Sequence, residues 1–317
     1  TKALNALTYE MCQEMENSLN QWEENSKITQ VMIEAEGEKA FCAGGDVAKL
    51  YHKGIEKKLE YIQNFWKDEY RLNALIANYS KPYIAFMHGY TMGGGVGVSC
   101  HGSHRIVGES TKIAMPECAI GLIPDVGGTL LLSKAPGNIG EFLGTTGIRI
   151  EAEDTIKTGF SDYFVHEKRW PELKKQLIES GNTNSIKDFH SPPPKLENSI
   201  FNKLDLINKF FSIETADEIK LSLTNENSEW SNNILDAWKK NSPLSILCTI
   251  ALIRNVRKMP SIEFALEKEY LFTSQSIEHG DFLEGVRAAL IDKDHKPKWK
   301  HKDFKEIKET EIKKMLN

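Results

Sequence analysis

The sequence of 317 residues is long enough for one large domain, or for one domain with a sizeable addition. Its 40% hydrophobic and 27% charged residues are typical of a soluble globular protein, and no apolar run approaches the roughly 20 residues that a membrane-spanning helix needs. A net charge of −5 argues against a protein that binds nucleic acid over its whole surface, although it leaves room for a local basic patch.

The cysteines and histidines give no sign of a metal site. The five cysteines are odd in number and form no C-x-x-C motif, which favours reduced core thiols over a disulfide framework or a zinc site. The nine histidines are scattered without an H-x-x-x-H motif. The chain does not begin with methionine, so a targeting peptide is neither seen nor excluded.

Predicted helices and strands alternate in the first part of the chain. Thr8 is expected to cap a helix that runs to about Asn25, and residues 28–35 form an apolar, β-branched run typical of a strand. Residues 47–79 are predicted to be helical. Residues 83–88 form a strand with apolar side chains on both faces, as in a sheet that is covered on both sides. This alternation predicts an α/β fold.

Two glycine-rich stretches follow predicted strands. They are Ala43-Gly44-Gly45-Asp46 and the cluster Gly93-Gly94-Gly95. Small residues at such places let the backbone direct N–H groups toward a negatively charged oxygen, although each stretch alone is also compatible with an ordinary loop. The second stretch is not followed by G-K-[ST] and does not fit G-x-G-x-x-G with a later acid. A nucleotide P-loop and a dinucleotide fold are therefore disfavoured.

Two acids lie in the otherwise apolar stretch of residues 114–128. Glu117 and Asp125 each follow a proline, and Gly127-Gly128 permits a tight turn into a helix. A poorly hydrated carboxyl group has a raised pKa and is a candidate general acid, base or nucleophile. The alternative is a buried turn in which the acids only cap backbone N–H groups. Glu69, among aromatic neighbours in a predicted helix, is a weaker candidate.

The remaining sequence changes character after about residue 165. Before that point, strands are predicted at 105–107, 112–114 and 163–165, and helices at 129–134, 138–147 and 151–159. Beyond the linker-like residues 181–185 and 191–194, amphipathic helices are predicted at 196–212, 215–223, 228–241, 244–258 and 262–279. These patterns predict a core of residues 1–180 and a helical C-terminal region of residues 195–317. The final Lys/Glu-rich stretch leans basic, and a solvated helix face is favoured there over an RNA contact.

Three motifs together resemble the enoyl-CoA hydratase/isomerase (crotonase) superfamily. They are Lys2-Ala3-Leu4-Asn5-Ala6-Leu7, Ala43-Gly44-Gly45-Asp46 and Gly93-Gly94-Gly95. The resemblance implies a ClpP-like spiral core of repeated ββα units. It also implies C-terminal helices that mediate self-association or cover the acyl site.

Further motifs resemble one branch of that superfamily, the 3-hydroxyisobutyryl-CoA hydrolases. They are Glu69-Tyr70, Met115-Pro116-Glu117, Pro124-Asp125-Val126-Gly127 and the C-terminal His279-Gly280-Asp281-Phe282. The last of these extends the resemblance over nearly the whole chain. This branch hydrolyses an acyl-CoA thioester in valine breakdown, so the resemblance implies a mitochondrial hydrolase.

The resemblance also implies a role for each candidate residue. The backbone N–H groups of Gly45 and Gly94 would form an oxyanion hole for the thioester oxygen, and Gly94 would contact substrate. Glu117 would be the catalytic glutamate, acting as nucleophile or as general base, and Asp125 the second acid, which positions water or shares the proton. Both acids would bind substrate, as would Glu69 through the substrate hydroxyl. CoA belongs to the substrate, and no cofactor is expected. Residues 2–4 would lie near the adenine of CoA.

Two alternative functions remain. Hydratases of the superfamily use two glutamates, and this chain has Gly97 in place of one of them. A hydratase activity is therefore disfavoured. An isomerase activity is a further alternative. A relative of the hydrolases recruited as a subunit of the mitochondrial small ribosomal subunit is the other alternative. The basic-leaning tail and the Asn/Lys-rich residues 182–241 agree with a ribosomal role. Because all the candidate acids are present, a recruited subunit of this kind need not have lost its enzymatic activity.

Overall fold

The computed structural model describes residues 4–317 of the chain. Its internal contacts group the residues into two compact units, which are described separately. The sheet unit contains the residues up to Gly45, Asp68–Ala114 and Arg149–Asn202, and the helical unit contains Asp46–Lys67, Met115–Ile148 and Lys203–Asn317. Each unit draws on separate parts of the chain. The contiguous division into residues 1–180 and 195–317 stays a sequence-based prediction.

Eight strands and sixteen α-helices are formed by the described residues. The strands are β1 (Val31–Ile33), β2 (Ala40–Cys42), β3 (Tyr83–Met87), β4 (Tyr90–Met92), β5 (His104–Val107), β6 (Lys112–Ala114), β7 (Ile150–Glu151) and β8 (Tyr163–Phe164). The helices are α1 (Tyr9–Glu24), α2 (Val47–Ile55), α3 (Leu59–Ala77), α4 (Gly94–Gly97), α5 (Gly128–Lys134), α6 (Ile139–Thr146), α7 (Ala152–Thr158), α8 (Trp170–Ser180), α9 (Ile186–Phe189), α10 (Leu204–Phe211), α11 (Ala216–Glu226), α12 (Glu229–Lys240), α13 (Pro243–Lys258), α14 (Ile262–Ser276), α15 (Phe282–Val286) and α16 (Glu309–Leu316). Short 3₁₀ segments include Glu117–Ile120 and Ile200–Lys203, and Arg287–Ile291 is a π-helical turn.

Strands β1 to β6 of the sheet unit alternate between two four-stranded sheets, which β7 and β8 then extend. One has the order β1-β3-β5-β8 and is parallel throughout; the other has the order β2-β4-β6-β7, and only its last pair is antiparallel. A chain that visits two sheets in turn is what a spiral of repeated ββα units requires. The predicted α/β class with a spiral core is thus confirmed.

The core of the sheet unit lies where β3 and β5 meet α8 and α9. All five residues of β3 are buried, as predicted from apolar side chains on both of its faces. Phe86 packs edge to face on Trp170, with ring centroids 5.4 Å apart. The remaining members of this apolar cluster are Ile84, Ile106, Val165, Leu173, Leu177, Ile186 and Phe189.

Local capping signals placed the first helix correctly. Thr8 precedes α1, and its side-chain oxygen accepts a hydrogen bond from the N–H of Met11, which satisfies one of the free donors at a helix start. The predicted strand 28–35 is shorter than expected, because only Val31–Ile33 pairs with β3. The side chain of Gln30, just before it, instead donates to the carbonyl of Leu177.

The continuous helix predicted over residues 47–79 is wrong in one respect. The structure breaks it into α2 and α3, because Lys57 has a φ of 57°. A left-handed residue cannot continue a right-handed helix. The N–H of Lys57 instead bonds to the carbonyl of Gly54 and closes α2. Asp46 caps the start of α2 by accepting from the N–H of Lys49.

The helical unit confirms the predicted helical C-terminal region. From Lys203 onward the described chain contains helices and loops but no strand. Four of the five predicted helices agree with α11 to α14 to within a few residues. The first, predicted over 196–212, is a 3₁₀ segment followed by the shorter α10. An aromatic chain forms part of the core, with ring centroids 5.6 Å apart for Phe142–Phe211, 6.0 Å for Phe211–Trp238 and 5.6 Å for Trp238–Phe304.

A buried ion pair joins two helices of the helical unit. Glu141 of α6 is fully buried and accepts from Nη1 and Nη2 of Arg257 at 2.6 and 2.8 Å, while Nε of Arg254 lies 3.5 Å away. We expect Arg257→Met to lower the free energy of unfolding by about 1.5–3 kcal/mol, because the buried carboxylate loses two charge-assisted hydrogen bonds and keeps only Arg254 as a nearby cation. Urea unfolding of the purified variant measures this change.

The matched control for this prediction is Lys239→Met. Lys239 and Asp236 form a pair in which both side chains are largely exposed. Loss of an exposed ion pair lowers the free energy of unfolding by at most about 0.5–1 kcal/mol. Equal effects of the two substitutions would contradict the proposed importance of the buried pair.

All five cysteines are free and buried, as the sequence predicted for reduced core thiols. Burial raises the pKa of Cys42 and Cys100 to about 11 and that of Cys118 to about 12. Because the thiolate is the reactive form, the native protein should not react quickly with thiol reagents.

Candidate active site

The two glycine-rich stretches of the sheet unit lie side by side. Strand β2 leads to Gly44, which has a φ of 119°, and to Gly45; strand β4 runs parallel to β2 and leads to Gly93 and α4. The carbonyl of Gly44 accepts from the N–H of Leu7 at 2.9 Å, which ties the first stretch to the N-terminal segment. Parallel pairing of β2 and β4 therefore brings the two predicted donor positions to the same end of one sheet.

Gly94 is the point of closest approach. A methyl group in place of its hydrogen would lie 3.3 Å from the backbone N of Gly45 and 2.8 Å from Oε1 of Glu69. Only glycine leaves this space open, which agrees with a site where a carbonyl group must approach the backbone. The structure thus brings together three residues that the sequence singled out: Gly45, Gly94 and Glu69.

The third member, Glu69, lies in the part of α3 that belongs to the sheet unit. Its side chain is 3% exposed. Burial, followed by the negative charge of Glu69, raises the pKa of the Cys12 thiol. The preceding residue, Asp68, has other partners. Its carboxyl group accepts hydrogen bonds from the hydroxyl of Tyr9 and from Arg71.

Of the predicted adenine-binding residues, Lys2 and Ala3 lie outside the described residues. Leu4 has a φ of 50°, and its carbonyl accepts from the N–H of Ala43 at 3.1 Å. This contact holds the segment against the strand end that leads to Gly45. Its role toward CoA stays a prediction.

Glu117 opens the 3₁₀ segment Glu117–Ile120 of the helical unit and is 6% exposed. Pro116 precedes the segment, and Gly121 ends it with a φ of 71°. The carbonyl of Cys118 accepts from the N–H of Ser242, which caps α13. This short segment therefore has a fixed place against α13 rather than being a free loop.

Asp281 of the C-terminal motif supports the same segment. Its Oδ2 accepts from the hydroxyl of Ser242 at 2.6 Å, and a side chain at Gly121 would collide with its backbone. These contacts give a physical reason for the motif His279-Gly280-Asp281-Phe282. The carboxyl group of Asp281 binds Ser242, and Ser242 in turn donates to the segment that begins at Glu117.

Asp125 lies in the turn before α5 and is 5% exposed. Its carbonyl accepts from the N–H of Gly128 at 2.7 Å. The next residue, Val126, has a φ of 54°, and Gly127 has a φ of 77°. A left-handed conformation is strained for a β-branched residue such as valine, whereas glycine adopts it freely. The acid thus lies on a backbone turn that its surroundings must hold in place.

Sequence reasoning missed one acid of this region, Glu269. It lies on α14, is 0% exposed, and accepts hydrogen bonds from the N–H groups of Gly127 and Thr129. A signal was present in the sequence. The buried positions Ile262, Ala265, Leu266, Phe272 and Ser276 follow helical spacing, and Glu269 falls on the same stripe. A glutamate at a core-facing position of an amphipathic helix requires a partner in the interior.

The chain matches the family described as enoyl-CoA hydratase/isomerase over residues 1–316. The chain belongs to the enoyl-CoA hydratase/isomerase family. A member from Gallus gallus named 3-hydroxyisobutyryl-CoA hydrolase, mitochondrial, is 38% identical over 96% of this chain and 81% of its own length. The Homo sapiens protein of the same name is 35% identical over 98% of this chain and 82% of its own length.

A solved member of the family has the same fold. It is a crystal structure named as an enoyl-CoA hydratase from Rhodobacter sphaeroides 2.4.1, with 42% sequence identity and a TM-score of 0.94. The match covers 99% of this chain and 91% of that one. The names of these three relatives thus give two activities, a hydrolase and a hydratase, each for a CoA compound.

The described part of the chain contains neither a candidate membrane-spanning helix nor a candidate metal site. None of the helices between residues 4 and 317 combines the length and apolar character needed to cross a bilayer. Within the same range, no group of three or more His, Cys, Asp or Glu side chains is placed to hold a metal ion.

Proposed function

We propose that this chain hydrolyses the thioester of 3-hydroxyisobutyryl-CoA to 3-hydroxyisobutyrate and CoA, a step of valine breakdown. The observation that carries the proposal is the position of the Glu69 carboxyl group beside the backbone of Gly94 and Gly45. A carboxylate accepts a hydrogen bond from a hydroxyl group, and backbone N–H groups donate to a thioester oxygen. The named substrate of the relatives has both groups within a few bonds of each other.

In this proposal the two glycines stabilise the charge that develops on the thioester oxygen. Each preorganised donor of this kind typically lowers the barrier by about 3–4 kcal/mol. Glu69 accepts from the substrate hydroxyl and thereby selects a hydroxyacyl group. No resident cofactor or metal is required, since CoA enters as part of the substrate.

Glu117 carries the central step, by one of two routes. As a nucleophile, its carboxylate attacks the thioester carbonyl, CoA thiolate leaves, and water then cleaves the mixed anhydride. As a general base, it takes a proton from water while the water oxygen attacks the same carbonyl; the C–S bond then breaks, and CoA leaves as the thiol with that proton. In either route Asp125 positions water or shares the proton. Its burial in the turn before α5 agrees with that role.

Hydration of an unsaturated acyl-CoA is the second candidate, favoured by the name of the solved relative from Rhodobacter sphaeroides. Gly97, which is buried in α4, stands at the position where hydratases of the family carry their additional glutamate. Glycine cannot donate or accept a proton through a side chain. We therefore expect little hydration of crotonyl-CoA relative to thioester hydrolysis.

The test is CoA release from 3-hydroxyisobutyryl-CoA by the purified chain, measured with a thiol reagent. The five buried cysteines should give little background in this assay, and a substrate-free sample checks that. Isobutyryl-CoA, which lacks the hydroxyl group, is the matched substrate for the proposed role of Glu69. Absence of release, or hydration of crotonyl-CoA as the main activity, would refute the proposal.

The mitochondrial location of the proposed hydrolase rests on the names of the relatives. Imaging of the natural full-length protein against a mitochondrial marker tests it. Self-association, implied by the family resemblance, is tested by sedimentation equilibrium.

A role on the mitochondrial small ribosomal subunit is a further candidate that one observation favours. Lys296, Lys298, Lys300 and Lys302 are exposed and alternate with less exposed residues in a segment without helix or strand. The N–H groups of Lys298 and Lys300 donate to Glu284 and Asp281. A row of lysines attracts RNA phosphates in a salt-dependent manner. Salt-resistant co-sedimentation with small subunits, lost when the four lysines become glutamines, would support this role; absence of co-sedimentation would exclude it.

A further inference from the structure

Glu269 makes three hydrogen bonds to the segment that follows Asp125. Its Oε2 accepts from the N–H of Gly127 at 2.7 Å, and its Oε1 accepts from the N–H of Thr129 at 3.0 Å and from the Thr129 hydroxyl. The two ends of this contact are more than 100 residues apart in the chain. One buried carboxyl group thus joins α14 to the start of α5.

These bonds act on a strained backbone. Val126, between Asp125 and the bonded Gly127, has a φ of 54°. Valine pays a steric cost of roughly 1–3 kcal/mol in this region, so the conformation persists only where neighbouring contacts impose it. The bond from Gly127 to Glu269 begins one residue after Val126 and is such a contact. The direction of the Asp125 side chain depends on the same turn.

Glu269 lacks the usual partner of a buried acid. In the part of the chain that the structure describes, the groups that act on its carboxyl group are Gly127, Thr129 and the like-charged Asp125, with no cation among them. Burial and, to a smaller extent, the charge of Asp125 raise its pKa to about 8, against the lowering effect of the hydrogen bonds from Thr129 and Gly127. An acid without a counter-ion in the interior costs stability. An apolar side chain in the same space would leave the N–H groups of Gly127 and Thr129 without an acceptor, so the carboxyl group is what holds this turn.

We infer that Glu269 is a positioning residue for the reaction: it holds the turn of residues 125–129 and thereby directs the carboxyl group of Asp125. This inference rests on the proposed function of Asp125. It adds a residue from another helix that acts on the reaction only through its hydrogen bonds to the turn. A displacement of about 1 Å in a catalytic group can cost about 10²-fold in rate.

The variant Glu269→Gln tests the inference, with Glu267→Gln as the matched control. Glutamine has the same size but one acceptor oxygen, so its amide group must face one N–H donor of the turn. We expect kcat to fall by about 10–10²-fold with KM changed by less than about threefold. Glu267 lies on the same helix with its side chain largely exposed, and its replacement should change neither constant.

A double variant separates positioning from a general loss of stability. If Glu269 acts through Asp125, then Glu269→Gln added to Asp125→Asn should lower kcat no further, because residues that act as a unit are not additive. The same additional factor in both backgrounds would overturn the inference. Should Glu269→Gln fail to fold, Thr129→Val removes only the hydroxyl donor, and a lowered kcat that is again absent on Asp125→Asn is the result expected.

Hydrogen exchange distinguishes failure of this inference from failure of the proposed function. The amide hydrogens of Gly127 and Thr129 should exchange faster in Glu269→Gln than in Glu267→Gln, whatever reaction the protein performs. Unchanged exchange would overturn the inference even if thioester hydrolysis is confirmed. Faster exchange in Glu269→Gln, together with a wild-type protein that releases no CoA, would leave the turn contact in place and refute only the proposed function.

Discussion

Replacement of Glu117 by glutamine is expected to lower kcat for thioester hydrolysis by about 10²–10⁴-fold or more, with binding of the acyl-CoA retained. The amide keeps the size of the side chain but can neither accept the proton of water nor attack a carbonyl group as a carboxylate does. The 3₁₀ segment that begins at Glu117 is held by Cys118, Ser242 and Gly121, so the substitution should leave the local backbone unchanged. Steady-state kinetics and a binding titration with substrate measure the two effects.

The control for this prediction is Glu229→Gln, which changes an exposed glutamate of the same helical unit. It should leave kcat near the wild-type value. A Glu117→Gln variant with near-wild-type kcat would refute the assignment of Glu117 as the central acid.

A single turnover in H₂¹⁸O separates the two routes for Glu117. If Glu117 is a general base, the ¹⁸O appears in the released acid. If it is a nucleophile and water attacks the glutamyl carbonyl of the anhydride, the ¹⁸O appears in Glu117 instead and can be found by mass spectrometry of its peptide. Label in Glu117 therefore assigns the nucleophilic route, whereas label only in the released acid fits a general base or an anhydride that water opens at the acyl carbonyl.

Replacement of Gly94 by valine is expected to abolish measurable turnover. Even the first carbon of a side chain would lie 2.8 Å from Oε1 of Glu69 and 3.3 Å from the N of Gly45, both shorter than normal contacts. The Glu69 carboxyl group can move aside, but the branched side chain would then cover the N–H groups proposed to bind the thioester oxygen. Loss of one such donor alone costs about 10²–10³-fold in kcat. The value of kcat/KM for 3-hydroxyisobutyryl-CoA measures the effect.

Gly159→Ala is the matched control in the same sheet unit. A methyl group at Gly159 meets no atom within 4 Å, and its φ of 82° makes the substitution unfavourable for the backbone. It should therefore lower stability by about 1–2 kcal/mol without blocking the reaction. Unchanged kcat/KM in folded Gly94→Val would show that the thioester lies elsewhere.

Local sequence patterns predicted the elements that depend on neighbours in the chain. Thr8 caps α1 because a side-chain oxygen can bond to an N–H three residues ahead, and the apolar residues of β3 indicated a doubly covered strand. The break at Lys57 was missed, because a lysine with positive φ has no distinctive local signal. The spiral came from the family resemblance and not from periodicity, which says nothing about the sheet that a strand joins.

The sequence by itself determined which residues are candidates: two acids that follow prolines, Glu117 and Asp125, two glycine-rich turns, and the weaker candidate Glu69. Their chemistry is local, so spacing and residue type were enough to select them. Only the tertiary structure decided that Glu69 lies against Gly94 and Gly45, and that Glu269 binds the turn after Asp125. Parallel pairing of β2 with β4 and packing of α14 on α5 produce these contacts. Such long-range pairings are set by burial of whole faces, which no short stretch of sequence specifies.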